Sequence, residues 1–259
     1  MPRRKKYASA AERQKAYRHR NRVKRNGLDV VDVTKRNHFY NLDVLTFLSN
    51  MPEESVNLFI TSPPYNLRNS SGGFFRAKSG RTAGRWGNAK LRTGYDTHQD
   101  NMPRDEYVTW QRQCIEEMLR ALGPAGAIFY NHKPRVQNGL MQSPDEIVRG
   151  YPVRQVIIWN RKRGFNFNDT YFTPRYEFIY LIAKSDFRLR PGACGIGDVW
   201  EMDPDHGNEH PAPFPVELPN RILDAVDVDC VVDPFGGSGT VGVSAKSRGV
   251  DYILNDVSS

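Results

Sequence analysis

Cysteine is scarce in this chain. The three present among 259 residues, Cys114, Cys194 and Cys230, are widely spaced and form no Cys-x-x-Cys pair. An odd, scattered set of this kind argues against a disulfide framework and against a zinc site, so no metal is expected. Long apolar runs are missing too, since no stretch reaches the roughly 18 residues that a membrane helix needs. The N-terminus is basic and polar and lacks the apolar region of a signal peptide. We therefore expect a soluble, cytoplasmic protein with no membrane partner.

Acidic residues are lacking in two places. Residues 1–26 hold 11 Lys or Arg against the single acid Glu12, a local charge of +10; with +8 for the whole chain, residues 27–259 sum to −2. The basic character thus belongs to an arm and not to the body. Ser9 and Glu12 are spaced like a capping box, yet the segment has too few apolar positions to face a core. It reads as a flexible arm that adds salt-dependent affinity for nucleic acid, or else as a solubilising tail. The second acid-free stretch follows Asn66 and lasts until Asp96; it carries Gly72, Gly73, Gly80, Gly84, Gly87 and Gly94 among seven Lys or Arg, with Phe74, Phe75, Trp86 and Tyr95 available to stack. A loop of this length and charge reads as a strand-contacting lid or as surface disorder.

The body, residues 27–259, has the material for one main domain, with 39% hydrophobic residues over the chain. Val56–Ile60 is an apolar run that reads as a buried strand, stopped by Pro63 and Pro64 in Thr61-Ser62-Pro63-Pro64-Tyr65-Asn66. This rigid corner leaves carbonyl acceptors beside the Ser62 hydroxyl and the flat face of Tyr65. Such a set suits a planar base bearing an amino group, and it also suits an ordinary loop. Upstream, Asn37–Leu42 predicts a strand running into a short helix at Val44, with Asp43 as its N-cap or as an acid facing a ligand.

Downstream, Tyr107, Val108, Trp110, Cys114, Ile115, Met118, Leu119 and Leu122 recur at helical spacing, so residues 105–122 read as a helix ended by Gly123-Pro124. Ala127–Asn131, Gln155–Asn160 and Tyr176–Ile182 read as strands. The end of the first, Asn131-His132-Lys133, could face a cleft. Residues 161–175 are basic, aromatic and amide-rich, a composition able to read base edges, and residues 185–209 read as irregular. Strands alternating with helices predict an α/β sheet with crossovers.

A second motif closes the chain. Val226–Val232 reads as a strand ending in Asp233-Pro234-Phe235-Gly236-Gly237-Ser238-Gly239-Thr240, with a helix to follow. Glycines there let backbone amides approach a ligand. Lysine is absent from this turn, so a Walker-type triphosphate grip is not available. The next strand, Asp251–Asn255, ends at Asp256, where a carboxylate can bind ribose hydroxyls. Together these features point to a nucleoside without a triphosphate.

The corner at Ser62, the stretch His210-Pro211-Ala212-Pro213-Phe214-Pro215 and the turn from Asp233 to Thr240 together resemble the amino-group DNA methyltransferases of the circularly permuted beta type, in which the catalytic motif precedes the cofactor motif. The resemblance runs from about Asn37 to Asp256. It implies a Rossmann-like, S-adenosylmethionine-dependent methyltransferase fold with a seven-stranded mixed sheet, acting on double-stranded DNA in a prokaryotic or phage setting with a cognate restriction endonuclease as a possible partner. On that basis Ser62, Pro63, Pro64 and Tyr65 would form the catalytic corner. Phe235, Gly237 and Gly239 would lie along the cofactor, with Asp233, Gly236, Ser238, Thr240 and Asn255 completing its turn. Asp256 would meet the ribose, Asp43 the adenine, and His210 and Pro211 the methionine end. The loops at about 67–103, 161–175 and 185–209 would read the target.

Two departures stand out: Leu42 replaces the glycine that often precedes the acid at Asp43, and the chain stops three residues after Asp256. An exocyclic amine has its lone pair delocalised into the ring, so hydrogen bonds to the Ser62 hydroxyl and Pro63 carbonyl should favour its pyramidal, nucleophilic form. A base must leave the duplex stack to reach such a corner, with Tyr65 stacking on it. In this family Ser at the first motif position goes with cytosine N4 and Asp with adenine N6. Ser62 therefore predicts cytosine N4 methylation, with adenine N6 as the alternative and an inactive DNA-binding relative or an RNA methyltransferase as further ones.

Overall fold

The computed structural model describes residues 31–66, 102–137, 139–162, 164, 166, 169–204 and 214–257. The described residues from Val33 onward form one compact unit. The basic arm 1–26, most of the glycine-rich loop 67–103, and His210 and Pro211 lie outside the described residues.

Eight strands form one sheet. In chain order they are β1 (His38–Tyr40), β2 (Val56–Thr61), β3 (Leu122–His132), β6 (Val153–Asn160), β7 (Tyr176–Ala183), β8 (Val199–Glu201), β9 (Cys230–Asp233) and β10 (Asp251–Asn255), and β4 (Arg135–Gln137) and β5 (Leu140–Gln142) make a separate hairpin. Across the sheet the order is β1-β10-β9-β2-β3-β7-β6-β8. The first five strands run parallel, β7 is antiparallel to both β3 and β6, and β8 returns parallel to β6. The order turns around at β9, whose next strand in sequence lies on one side while β2 lies on the other. Crevices at such reversals, beyond the carboxyl ends of the strands, are where open α/β sheets bind ligands.

The sheet has one strand more than the seven expected. The addition, β8, comes from the stretch 185–209 that composition alone reads as irregular. Its Trp200 is buried, and the indole Nε1 of Trp159 on β6 donates to the Met202 carbonyl at 2.9 Å. One large apolar anchor thus draws a short, otherwise polar segment onto an edge whose backbone groups need partners.

Both faces are covered. On one, Leu58, Ile60, Phe129, Ile157 and Trp159 pack with Leu218 and Ile222 of helix α4 (Glu217–Ala225) and Val241 and Ala245 of α5 (Thr240–Ser247). The pleat sends Phe59, Ile128 and Tyr130 to the other face, beneath α2 (Arg104–Ala121) and α1 (Val44–Asn50); the Tyr130 hydroxyl donates to Gln111 Oε1 of α2 at 2.7 Å. Helix α2 buries Tyr107, Gln111, Cys114, Ile115 and Met118, a stripe at the expected spacing. A one-turn helix, α3 (Asp145–Val148), follows the hairpin. Strand β9 is shorter than its apolar run suggests, because Val226 is consumed in ending α4 and only Cys230–Asp233 pairs.

Candidate active site

Strand β2 ends at Thr61, and its central position delivers the following corner to the carboxyl edge of the sheet. Pro63, Pro64, Tyr65 and Asn66 are buried while Ser62 keeps partial exposure. The corner is propped from α2. The Tyr107 hydroxyl lies 2.7 Å from the Pro64 carbonyl oxygen and 2.7 Å from His132 Nε2, and Gln111 Nε2 donates to the same carbonyl at 3.4 Å. No described side chain donates to the Pro63 carbonyl. Burial lowers the His132 pKa from 6.5 to about 3, so this imidazole is a neutral brace, its ring 5.0 Å from that of Tyr65.

The Tyr65 side chain is turned inward. It is 5% exposed, and its hydroxyl donates to Glu177 Oε2 on β7 at 3.0 Å. Ser62 Oγ sits 2.6 Å from the Tyr65 hydroxyl, and Asn131 Nδ2 at the end of β3 donates to Tyr65 at 2.7 Å, to Glu177 at 3.0 Å and to Ser62 at 3.4 Å. Arg161 Nη1 pairs with the other Glu177 oxygen at 3.0 Å. Asn131 is legible as the polar end of a strand. Glu177 belongs to no motif, and its one signal in the sequence is that an acid interrupts the apolar run Tyr176–Ile182, where a carboxylate buried in a central strand must have partners.

Beside the corner, β9 ends in the glycine turn. Asp233, 1% exposed, accepts from Thr61 Oγ1 at 2.7 Å and from the Phe235 amide at 3.0 Å. Burial raises its pKa from 3.8 to about 7. The Ser62 corner and the glycine turn are therefore clasped by one buried carboxyl group. Gly237 and Gly239 adopt φ of 47° and 79°, in the left-handed region that favours glycine, and Gly239 opens α5. At Gly236 a Cβ would come within 3.2 Å of Leu254 Cβ, so the turn lies directly on β10. Phe235 packs edge-on against Trp110 of α2, ring centroids 5.8 Å apart, and Ser238 Oγ meets Thr240 Oγ1 at 3.1 Å.

Two acids flank this turn on neighbouring strands. Asp256, just past β10, accepts from the Gly237 amide at 2.9 Å and is half-buried. Asp43, past β1, caps α1 by accepting from the Leu45 and Thr46 amides at 3.0 Å, and stays exposed. The cap that its position predicts is therefore formed. Asn255 is fully buried and structural, with Nδ2 donating to the Leu42 and Pro234 carbonyls at 3.1 and 3.3 Å while Oδ1 accepts from the Leu42 amide. A glycine turn flanked by carboxylates and without lysine fits a ligand that offers hydroxyls and positive charge but no phosphate. S-adenosylmethionine, with its ribose, ammonium and sulfonium, is such a ligand.

The fold is that of the S-adenosylmethionine-dependent methyltransferases. The comparisons narrow it. The N6/N4 methyltransferase family model, described as DNA methylase, matches residues 56–259. The type II methyltransferase M.BglII of Bacillus subtilis is 27% identical over 253 residues, which cover 82% of this chain and 62% of that protein. The DNA adenine methyltransferase YhdJ of Escherichia coli (strain K12) is 22% identical, covering 84% of this chain and 77% of its own. Among solved structures, the PvuII DNA methyltransferase (cytosine-N4-specific) superposes with a TM-score of 0.63 at 19% identity, over 86% of this chain and 83% of that one. The chain spans only 62% and 63% of the first two curated relatives, M.BglII and M.HpaI of Haemophilus parainfluenzae. With its match covering most of the sequence, this chain belongs to the DNA methylase family of amino-group methyltransferases.

Proposed function

We propose that the protein transfers a methyl group from S-adenosylmethionine to the exocyclic N4 amine of a cytosine flipped out of double-stranded DNA. One observation carries this reading: the Ser62 corner and the glycine turn stand at the carboxyl ends of adjacent strands, tied by the 2.7 Å hydrogen bond from Thr61 to Asp233. A donor bound at the turn and an amine bound at the corner would be held side by side, and positioning is the main requirement once the methyl group is already activated by the sulfonium.

In this reading the partly exposed Ser62 hydroxyl and the Pro63 carbonyl accept from the amine, Pro64 fixes the corner through Tyr107, and Tyr65 forms a wall of the base pocket. Phe235, Gly237, Gly239 and Asp256 hold the cofactor, with Asp43, Asp233, Gly236, Ser238, Thr240 and Asn255 shaping its cradle and His210 and Pro211 closing its methionine end. Serine as first residue of the corner and the cytosine-N4-specific name of the PvuII neighbour favour cytosine. The type II names of relatives suggest a cognate restriction endonuclease as partner. Cytoplasmic DNA is the expected substrate pool.

Duplex DNA incubated with the protein and methyl-labelled S-adenosylmethionine, then digested to nucleosides, tests this. Label in N4-methylcytosine is the expected result. Label in N6-methyladenine would reject cytosine as the target, and unlabelled DNA would reject the function.

A further inference from the structure

The acceptor-only carboxylate of Glu177 fixes the direction of the Tyr65 and Ser62 hydroxyl protons. A carboxylate can only accept, so the single proton of the Tyr65 hydroxyl is the one donated to Glu177 Oε2 at 3.0 Å. The 2.6 Å contact between Ser62 and Tyr65 then has one possible polarity, with Ser62 donating and Tyr65 accepting. Asn131 Nδ2 carries only donors, and it points at Tyr65, Glu177 and, more weakly, Ser62. Ser62 Oγ has therefore spent its proton inward and keeps lone-pair capacity on its exposed side. Tyr65, Asn131 and Glu177 are 5%, 2% and 5% exposed, so the chain of hydroxyls runs from a partly open serine to a carboxylate shut away from solvent.

Arg161 fixes the far end, its Nη1 on Glu177 Oε1 at 3.0 Å. Lys133, next to His132 at the end of β3, also lies within electrostatic reach of Glu177. A buried ion pair of this kind contributes little net stability compared with apolar packing. Its presence under the catalytic corner calls for a reason other than folding.

We propose, building on the function above, that Glu177 is a positioning residue that holds Ser62 as an acceptor for the target amine and terminates a proton path Ser62–Tyr65–Glu177. The step balances. The amine nitrogen forms a bond to the methyl carbon as the sulfur–methyl bond breaks, and the sulfur leaves as a neutral thioether with that electron pair. The nitrogen is now positively charged, and its lone pair no longer conjugates with the ring, which makes its remaining N–H protons strongly acidic. One passes to Ser62 Oγ as the Ser62 proton moves to Tyr65 and the Tyr65 proton to Glu177 Oε2; the N–H electron pair stays on nitrogen and restores conjugation. Glu177 ends as a carboxylic acid, and after the product has left its proton returns through Tyr65 and the partly exposed Ser62 to solvent.

Full-length wild type, Glu177→Gln, Tyr65→Phe and the double variant decide the matter, with single-turnover methyl transfer to duplex DNA measured alongside cofactor and DNA affinities and the thermal midpoint. Each single change should slow transfer by about 100-fold, the lower range for loss of proton-transfer assistance. Both affinities should stay within about twofold, and the double variant should be no slower than the slower single, since the residues act as one path. Unimpaired transfer by Glu177→Gln, or losses that multiply in the double variant, would overturn the proposal. If Glu177→Gln does not fold, Tyr65→Phe decides alone: it leaves the Glu177–Arg161 pair intact, an unchanged rate overturns the path, and a loss in kcat with unchanged KM for DNA supports it. A wild type that methylates no DNA would overturn the proposed function and this path with it, whereas an active wild type with unimpaired variants overturns the path alone.

Discussion

Asp233 is the group whose charge the fold opposes most visibly among the carboxylates of the site. Its carboxyl is 1% exposed, and burial moves its pKa from 3.8 to about 7 despite the hydrogen bonds from Thr61 and the Phe235 amide that favour the anion. The folded chain consequently holds on to a proton that the unfolded chain releases between those two values. Stability from this group is full below about pH 4, declines as the pH rises through the window, and levels off above about pH 7. The whole displacement corresponds to about 4 kcal/mol as an upper figure, a substantial share of the roughly 5–15 kcal/mol that holds a domain folded. Asp233→Asn keeps the side-chain shape and an oxygen for both donors but cannot ionise. In urea titrations from pH 5 to pH 8, the wild type should lose about 2–3 kcal/mol relative to the variant, most of it below about pH 7. Parallel stability curves for the two proteins would refute the reasoning, since they would mean that Asp233 titrates alike in the folded and unfolded chains.

Two further outcomes are expected. Ser62→Ala should depress methyl transfer by at least about 100-fold while changing S-adenosylmethionine affinity less than about twofold, as measured by single-turnover kinetics and calorimetry; equal losses in both would remove Ser62 from its assigned place. Deleting residues 1–26, with 11 of the chain's cations, should flatten the dependence of DNA affinity on salt in binding titrations at several ionic strengths. An unchanged slope would leave that segment as a tail.

Much of the architecture was legible because it is written in local patterns. Helix α2 followed from its apolar spacing, β2 from a run stopped by two prolines, and the turn at Gly236–Gly239 from glycines between an apolar strand and a helix. Less local features were harder to see. Strand β8 depends on one tryptophan finding a sheet edge, whereas the hairpin β4–β5 is signalled locally only by the Asn138-Gly139 pair between two very short strands. The open face expected of Tyr65 gave way to a buried ring, because its hydroxyl meets Glu177, 112 residues along the chain.

The order of residues sets which chemical groups are available and where along the chain: a Ser-Pro-Pro-Tyr corner after one strand, a lysine-free glycine turn after another, and acids at the ends of two more. Those are properties of neighbouring residues, where sterics and spacing decide the outcome. Which of these groups touch depends on how the strands are ordered and paired. Pairing β2 with β9 set Thr61 against Asp233, separated by 172 residues, and pairing β3 with β7 brought Asn131 and Glu177 beneath Tyr65. Strand order and register across a sheet depend on how whole layers pack, and no stretch of a few residues contains that information.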